Sequence, residues 1–185
     1  MPNKPIIIKG GIHRDERGQL IFFNNFDMSG IKRFYIITTW SNDSNSSEKT
    51  NNFQFPVSGS HFPLLRQTQQ SVITHQAVRA WQGHKIEKKY FYVNGGSFLI
   101  AAVKIDNWQN PSPGLKPHVY KLTVHKPQIL YVPPGYANGI KPLEQSSMLT
   151  VYSNLTLEES KKDDYRFDTS LWFDWEKTNK PEATD

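Results

Sequence analysis

The chain has 185 residues and no cysteine, which excludes disulfides, thiolate nucleophiles and zinc–thiolate sites. The formal net charge of +5 is modest and its lysines are scattered, so we expect no nucleic-acid partner. The sequence lacks a run of about 18 apolar residues, and its first apolar run is too short for a signal peptide. We therefore expect a cytoplasmic protein that does not bind or span a membrane.

Short apolar runs, rich in aromatic and β-branched residues, alternate with Gly, Pro and Asn turns about every ten residues, which predicts an antiparallel sandwich or barrel. In chain order the predicted strands are residues 6–8, 20–23, 31–39, 77–81, 89–93, 97–105, 119–124, 129–132 and 147–152. The predicted turns are residues 13–18, 95–96 and 110–114. Residues 156–161 predict a helical turn, and residues 163–175 an aromatic closing segment.

One stretch departs from this pattern. Residues 41–52 are nearly all Ser, Asn, Lys, Asp and Glu, and residues 53–72 carry Pro56, Gly59 and Pro63 without a regular apolar period. Such composition is typical of loops. We therefore predict a single domain over residues 1–185 with an irregular insert at about residues 41–75.

Two motifs about fifty residues apart have the layout of the paired motifs of cupin-type β-barrels. The first motif of such barrels usually reads His-x-His and the second Pro-x-Gly-x-x-His. The corresponding residues here are Gln82 and His84, followed by Pro133, Gly135 and Asn138. Because two of three imidazole ligands are replaced, we predict a site without a metal, and a metal-dependent oxygenase is disfavoured.

His84 is the candidate general base, because the ordinary pKa of imidazole lies near neutrality and suits removal of a proton next to a ketone. The alternative is a hydrogen-bonded core histidine. Gln82 lies two residues away and faces the same side of a strand. It either orients a substrate carbonyl or hydroxyl or is a buried amide bonded to the backbone, and Asn138 is assigned with it to substrate binding.

Several cations are candidates for binding an anion. Arg79, Lys89, Arg17 and Arg33 together would form a clamp, since guanidinium groups make bidentate contacts that suit a diphosphate. Each arginine taken alone is more often part of a surface ion pair. Lys89 would also stabilise an enolate oxygen.

Two further side chains are candidates for proton chemistry. Tyr136 is a possible proton donor or a packing residue of the barrel, and Asp168 either orients a histidine or pairs with Arg166. The chain contains no Gly-rich phosphate loop and neither a His-Glu-x-x-His nor a Gly-x-Ser-x-Gly motif. We therefore expect no dinucleotide cofactor and no serine triad.

The ordered set of motifs resembles the nucleotide-sugar epimerases and ketoisomerases, typified by dTDP-4-dehydrorhamnose 3,5-epimerase and dTDP-4-keto-6-deoxyglucose 3,4-ketoisomerase. The resemblance runs from about residue 12 to 175 outside the insert. It is carried by residues 15–18 (Asp-Glu-Arg-Gly), 31–36, 79–85, 96–97, 132–136, Asp168 and 173–175.

This resemblance implies a jelly-roll barrel, a homodimer, no metal or other cofactor, and a dTDP-sugar substrate. It implies that Arg79 contacts the diphosphate and that a histidine abstracts the proton beside a 4-keto group. The chain departs from the family where Gln82 occupies the histidine slot shared with the epimerases and Thr150 the epimerase tyrosine slot.

We predict an isomerase, either a 3,4-ketoisomerase or an epimerase of a dTDP-linked 4-keto-6-deoxy sugar, serving deoxysugar or cell-surface polysaccharide biosynthesis. The alternative is a non-catalytic relative that binds a nucleotide sugar. For the homodimer, the apolar runs 6–8 and 98–103 are the candidate edges that would extend a neighbour's sheet.

Overall fold

Short β-strands are the main regular structure in the described part of the chain, residues 2–39 and 77–177 of the computed structural model. The predicted insert at residues 41–75 lies outside the described residues, so the prediction of one domain with an insert stays a prediction. The strands are β1 (Ile6–Lys9), β2 (Gly11–Asp15), β3 (Gly18–Phe22), β4 (Arg33–Thr38), β5 (Arg79–His84), β6 (Lys89–Gly95), β7 (Ser97–Lys104), β8 (His118–Thr123), β9 (Gln128–Val132), β10 (Tyr136–Pro142), β11 (Met148–Ser153) and β12 (Tyr165–Arg166). One helix, α1 (Leu157–Lys162), precedes the last of them.

The strands pair into two five-stranded sheets. The first has the order β1-β9-β6-β11-β4 and the second the order β12-β5-β10-β7-β8, while β2 and β3 form a separate hairpin. The pairings with a determined register are antiparallel throughout. The predicted fold class, an all-β antiparallel jelly roll with a short helical and aromatic C-terminal segment, is confirmed.

The main hydrophobic core lies between the two sheets. Alternate residues of each strand face inward, as the two-residue period of a strand requires. Phe91 and Leu149 come from the first sheet and Phe98 and Ile100 from the second, and all four are fully buried. This core holds β4, β5, β6 and β10 at fixed positions around the pocket described below.

The outer faces of both sheets are also partly covered. On the first sheet Tyr90, Ile129 and Tyr131 pack under aromatic side chains of residues 23 and 26. On the second sheet Trp81 packs with the aromatic residues of the C-terminal segment 167–175. The predicted aromatic closing segment therefore covers the second sheet.

Strand β7 is continuously apolar because both of its faces are buried. Phe98 and Ile100 face the main core, while Leu99 and Val103 face the cluster under the C-terminal segment. The strand lies between β10 and β8. The expectation that residues 98–103 form a free edge for a partner is therefore wrong, whereas β1 does lie at a sheet edge.

Two glycines are required by geometry. Gly96 has a φ of 65° in the predicted turn between β6 and β7, a conformation that residues with a Cβ rarely adopt. At Gly139 in β10, an added Cβ would collide with the ring of Trp175 and with Ala80. The close approach of the C-terminal segment to the second sheet therefore depends on glycine.

The helix α1 begins with a capping box. The Thr156 hydroxyl accepts from the backbone N–H of Glu159, and the Glu159 carboxylate accepts from the Thr156 N–H. The predicted helical turn at residues 156–161 is confirmed, because this Thr-x-x-Glu spacing satisfies the first unpaired donors of a helix. Among residues 2–39 and 77–177 there is no helix of sufficient length and hydrophobicity to cross a membrane.

Two strands were not predicted. Residues 13–18 were expected as a turn, but residues 11–15 form β2 and pair with β3 across the tight turn at residues 16–17. Residues 136–142 were interpreted only as a motif, yet they form the fully buried β10. Polar and small residues such as Asn138 and Gly139 hid its strand character, which pairing with β5 and β7 on both sides enforces.

Truncation of the core should be costly while truncation of the hairpin should not. Leu130→Ala removes a fully buried side chain of the main core and should lower the free energy of unfolding by about 2–5 kcal/mol. Leu20→Ala, on the exposed hairpin, should change it by less than about 0.5 kcal/mol. Urea denaturation followed by circular dichroism measures both, and equal losses would contradict this assignment of the core.

Candidate functional site

A polar pocket of about 580 Å³ opens beside the main core. Its walls come from β4, β5, β6, β10 and β12, so both sheets contribute. Its polar lining consists of Tyr35, Arg79, Gln82, Lys89, Asn138 and Arg166. Arg79 and Arg166 are exposed, whereas Lys89 and Asn138 are buried, so the pocket has a cationic mouth and a polar floor.

Strand pairing brings the two sequence motifs together. In the β5–β10 ladder, Asn138 pairs with Gln82 and Tyr136 pairs with His84. Directly opposed residues of antiparallel strands point to the same face. Strand pairing therefore places the two motifs side by side, with Gln82 and Asn138 on the pocket wall.

Gln82 bridges two charged groups of opposite sign. Its Oε1 accepts from the Lys89 Nζ at 3.0 Å, and its Nε2 donates to Asp164 Oδ1 at 3.0 Å. Because an ammonium group only donates and a carboxylate only accepts, the orientation of the amide is determined. Asp164 in turn accepts from Arg166 at 2.9 Å. Neither alternative proposed for Gln82 included this bridge.

Lys89 is a buried ammonium group whose pKa is lowered toward neutral pH. Its side chain is only 3% exposed, and burial, partly offset by Glu87, lowers the pKa of Lys89 to about 8. Its one hydrogen bond within the described residues goes to Gln82. Two N–H groups of Lys89 are therefore available for a ligand in the pocket.

His84 lies two residues after the pocket-lining Gln82 on β5, is 2% exposed, and is not itself among the residues that line the pocket. Its Nδ1 is 2.7 Å from the backbone carbonyl oxygen of Asp163, which can only accept, so Nδ1 carries the proton. Its Nε2 is buried and has no hydrogen-bond partner among the described residues. Burial, assisted by the Lys89 charge, lowers the pKa of His84 to about 4, although Glu87 and Asp163 act in the opposite direction. His84 is therefore a neutral imidazole with an unused acceptor nitrogen.

Glu87 is a fully buried carboxylate that sequence reasoning missed. Its Oε1 accepts from Arg33 at 2.9 Å and from the Ser153 hydroxyl at 2.5 Å, and its Oε2 accepts from the Ser160 hydroxyl at 2.9 Å. His84 Nδ1 lies 3.1 Å from the same Oε2. A carboxylate inside a run of lysines looks like a solvated surface residue, and only long-range contacts reveal its burial.

Asp163 was also missed, and it shapes the turn between β5 and β6. Its carboxylate accepts from the backbone N–H groups of Lys85, Ile86 and Glu87 at 2.8–2.9 Å, while its carbonyl receives the His84 Nδ1–H. Asp163, directly after α1, is thus hydrogen-bonded to residues 84–87, which lie next to the pocket floor.

The structure brings together only some of the predicted site residues. Arg79, Gln82, Lys89 and Asn138 line the pocket. Arg33 lies behind it, bonded to Glu87.

Arg17 does not reach the pocket within this chain. It lies at the turn of the exposed β2–β3 hairpin, where it pairs with Asp15 and is 85% exposed. The predicted four-membered cationic clamp is therefore wrong for one chain, because the hairpin forms its own small sheet. Arg166, which was not assigned to binding, lies beside Arg79 instead.

Asp168 and Tyr136 also differ from expectation. Asp168 accepts from the backbone and hydroxyl of Ser170 and lines a separate cavity with the aromatic residues 172–175. It orients no histidine, and Arg166 pairs with Asp164 instead. Tyr136 packs in the main core with its hydroxyl 3.5 Å from the Asn3 carbonyl.

Thr150, assigned to the epimerase tyrosine slot, faces away from the core. Its neighbours Leu149 and Val151 are the inward residues of β11, and the Thr150 hydroxyl bonds to Asn94. The assignment of this slot is therefore wrong, because the strand period turns Thr150 outward.

No group of three or more His, Asp or Glu side chains that could hold a metal ion occurs within residues 2–39 and 77–177. The prediction of a site without metal stays a prediction. The chemistry available to the described pocket comes from one neutral imidazole, one buried ammonium, two amides and two arginines.

Comparison with solved structures supports the resemblance. The 3,4-ketoisomerase QdtA from Thermoanaerobacterium thermosaccharolyticum, in complex with TDP, has 17% identity and a TM-score of 0.55, with 90% of each chain covered. A 3,4-ketoisomerase from Helicobacter canadensis has 16% identity and a TM-score of 0.55, covering 88% of this chain and 90% of that one. A dTDP-6-deoxy-D-glucose-3,5-epimerase from Legionella pneumophila has 13% identity and a TM-score of 0.61, covering 92% and 78%.

No family model matches the sequence, and no curated protein matches it either. At identities this low, the likeness is one of fold.

The pKa of His84 should make the stability of the protein depend on pH. Because the folded-state pKa of about 4 lies below the ordinary 6.5, the unfolded chain binds more protons between these values. The free energy of unfolding should therefore fall as pH drops from 6.5 toward 4, by at most about 1.4 kcal/mol per pH unit from this group. His84→Asn should reduce the slope, and the exposed His125→Asn should not. Equal slopes in chemical denaturation at pH 7, 6 and 5 would contradict the neutral buried imidazole.

Taken together, the chain has the cupin-like jelly-roll fold of these ketoisomerases and epimerases.

Proposed function

We propose that the protein is an isomerase that acts without a metal or other cofactor on a dTDP-linked 4-keto-6-deoxy sugar, as a 3,4-ketoisomerase or an epimerase. The observation that carries this proposal is a neutral imidazole with a free Nε2 beside a pocket whose floor holds the ammonium of Lys89. A base and an adjacent cation are what proton abstraction next to a ketone requires.

The mouth of the pocket suits the diphosphate of a nucleotide sugar. Arg79 and Arg166 are both exposed and line the same pocket, and guanidinium groups bind phosphate oxygens bidentately. The solved structure of QdtA in complex with TDP supports a thymidine diphosphate as the ligand to test first.

In the proposed reaction His84 Nε2 takes the proton from the carbon beside the ketone. The C–H electron pair becomes the enolate C=C bond, and the carbonyl π pair moves to oxygen, where Lys89 stabilises the charge or donates a proton. The new imidazolium is stabilised by Glu87, whose Oε2 lies 3.1 Å from Nδ1. For ketoisomerisation, the proton passes to the former carbonyl carbon, while the hydroxyl on the deprotonated carbon loses its proton and becomes the new ketone. For epimerisation, the deprotonated carbon takes a proton from water on its opposite face, and His84 releases its proton to solvent.

A second candidate function is binding without catalysis. A pKa of about 4 makes His84 a weak base, and the Gln82 amide is fully engaged by Lys89 and Asp164. Both observations favour a relative that retains the nucleotide-sugar pocket but has lost the chemistry.

The biological setting is part of the same proposal. We infer a homodimer and a role in deoxysugar or cell-surface polysaccharide biosynthesis. The edge position of β1 supports pairing with a second copy.

Deuterium exchange tests the function. In deuterated water, proton NMR of dTDP-4-keto-6-deoxyglucose with the protein should show deuterium at C3 of the recovered substrate and at C4 of the 3-keto product for a ketoisomerase, and at C3 and C5 for a 3,5-epimerase. His84→Asn should slow the exchange about 10²–10⁴-fold, the usual effect of losing a general base, while dTDP binding persists.

Gln82→Ala should cost less, because it removes only neutral hydrogen bonds worth about 0.5–1.5 kcal/mol each. Exchange by His84→Asn at the wild-type rate would remove His84 as the base. No exchange by the wild type, together with measurable dTDP binding, would leave the binding function.

Arg79 should contribute to ligand affinity. Arg79→Ala should weaken dTDP binding by about 1.5–3 kcal/mol, the range for a hydrogen bond to a charged group, and binding should weaken with salt because the ligand is anionic. Arg14→Ala, on the exposed hairpin strand β2, is the matched control and should bind as the wild type does. Unchanged calorimetric affinity in Arg79→Ala would exclude Arg79 from the site.

A further inference from the structure

The buried carboxylate of Glu87 lies within 4 Å of the N–H groups of three side chains, those of Arg33, His84 and Lys89. It accepts from Arg33 at 2.9 Å, lies 3.1 Å from His84 Nδ1, and lies 3.8 Å from Lys89 Nζ. These three residues come from β4, β5 and β6. This carboxylate does more than hold the strands together, because its charge raises the pKa of both His84 and Lys89.

The charges that face Lys89 are of both signs. Arg33 on β4 and Arg166 on β12 favour the neutral amine, as does burial, whereas Glu87 and Asp164 favour the ammonium. His84, on β5 of the second sheet, is a neutral imidazole because burial lowers its pKa to about 4. Glu87 is the stronger of the two anionic influences, and it is fully buried, so water screens it little.

The orientation of Lys89 depends on its neighbours as well. Gln82 accepts one of its hydrogen bonds, and the buried Glu87 carboxylate, which does not line the pocket, lies 3.8 Å from the Lys89 Nζ. The two remaining N–H groups are available to an oxygen of a bound ligand.

We propose that Glu87 is a positioning residue, the buried counterion that keeps Lys89 an ammonium group directed at the ligand oxygen. This inference deepens the proposed function, on which the identity of the ligand rests. In the reaction, an N–H bond of Lys89 breaks as its proton passes to the enolate oxygen, while His84 holds the proton taken from carbon. For ketoisomerisation, Lys89 regains a proton from the hydroxyl that becomes the new ketone, and His84 gives its proton to the former carbonyl carbon. The starting charges are thus restored, and Glu87 stays ionised throughout.

Two variants of Glu87 distinguish the counterion role from a purely structural role. Glu87→Gln keeps the size of the side chain and one acceptor oxygen, replaces the other oxygen with an NH2 group that can donate to a serine hydroxyl, and removes the charge. Glu87→Asp keeps the charge but shortens the side chain. If Glu87 only fastens Arg33, Ser153 and Ser160, the isosteric Gln variant should be the milder change. If it is a counterion, the Asp variant should be the milder one.

The experiment is an NMR titration of the ligand-free protein with labelled lysine side chains, in which the Lys89 signal is assigned by its loss in Lys89→Met. In the wild type, Lys89 should be an ammonium at pH 7 and lose its charge near pH 8. In Glu87→Gln the titration should move down by about 1–3 pH units, the usual effect of one close opposite charge. In Glu87→Asp it should stay close to the wild-type value, and in Glu144→Gln, which alters an exposed carboxylate bonded to Ser97, it should not move.

An unchanged Lys89 titration in Glu87→Gln would overturn the inference. A second measurement uses only the wild type and therefore holds even if Glu87→Gln does not fold. The NMR signal of the Glu87 side-chain carboxyl carbon should be that of the ionised form at pH 7. The signal of a protonated carboxyl would overturn the inference. Both measurements use ligand-free protein, so they test the counterion role separately from the proposed function. If the Lys89 titration shifts in Glu87→Gln but the wild type exchanges no substrate proton, the isomerase function is refuted and the counterion role of Glu87 stands.

Discussion

The burial of the Glu87 carboxylate is the interaction on which the site depends. An ionised carboxylate in a protein interior is costly unless charges and hydrogen bonds compensate it. Here Arg33, Ser153 and Ser160 supply the donors, from β4, β11 and α1. These elements cannot move apart without leaving the charge uncompensated, so the carboxylate links the first sheet to the C-terminal helix behind the pocket floor.

This linkage gives a physical reason for the amide in the first motif. Lys89 on β6 and Asp164 after α1 lie on either side of Gln82. A glutamine can accept from the ammonium and donate to the carboxylate at the same time, and it does so without taking a proton itself. The replacement of an imidazole by Gln82 is therefore consistent with a pocket in which the charges, rather than a second histidine, surround the ligand.

Two adjacent acidic residues, Asp163 and Asp164, connect the segment after α1 to the pocket. Asp163 turns its carboxylate to three backbone N–H groups of the β5–β6 turn. Asp164 turns to Gln82 and Arg166 at the pocket. The segment that follows then covers the outer face of the second sheet with Trp172 and Trp175. The same stretch of chain thus closes the fold on one side and orders the pocket on the other.

The sequence by itself determined the fold class and most strands, because the two-residue apolar period and the turn residues are local signals. It also singled out Gln82, Lys89 and Asn138 as candidate site residues, and the structure places these three around one pocket. It did not reveal β10, whose small and polar residues lack strand character until β5 and β7 pair with it.

Only the tertiary structure decided which charges meet. Glu87 and Asp163 look like surface acids in the sequence, and their partners lie more than sixty positions away in several cases. Arg17 and Asp168 matched a motif yet lie apart from the pocket. Electrostatic contacts depend on distance and burial, and neither is encoded in the local period of a strand, so the sequence determined the scaffold and the structure determined the charge arrangement.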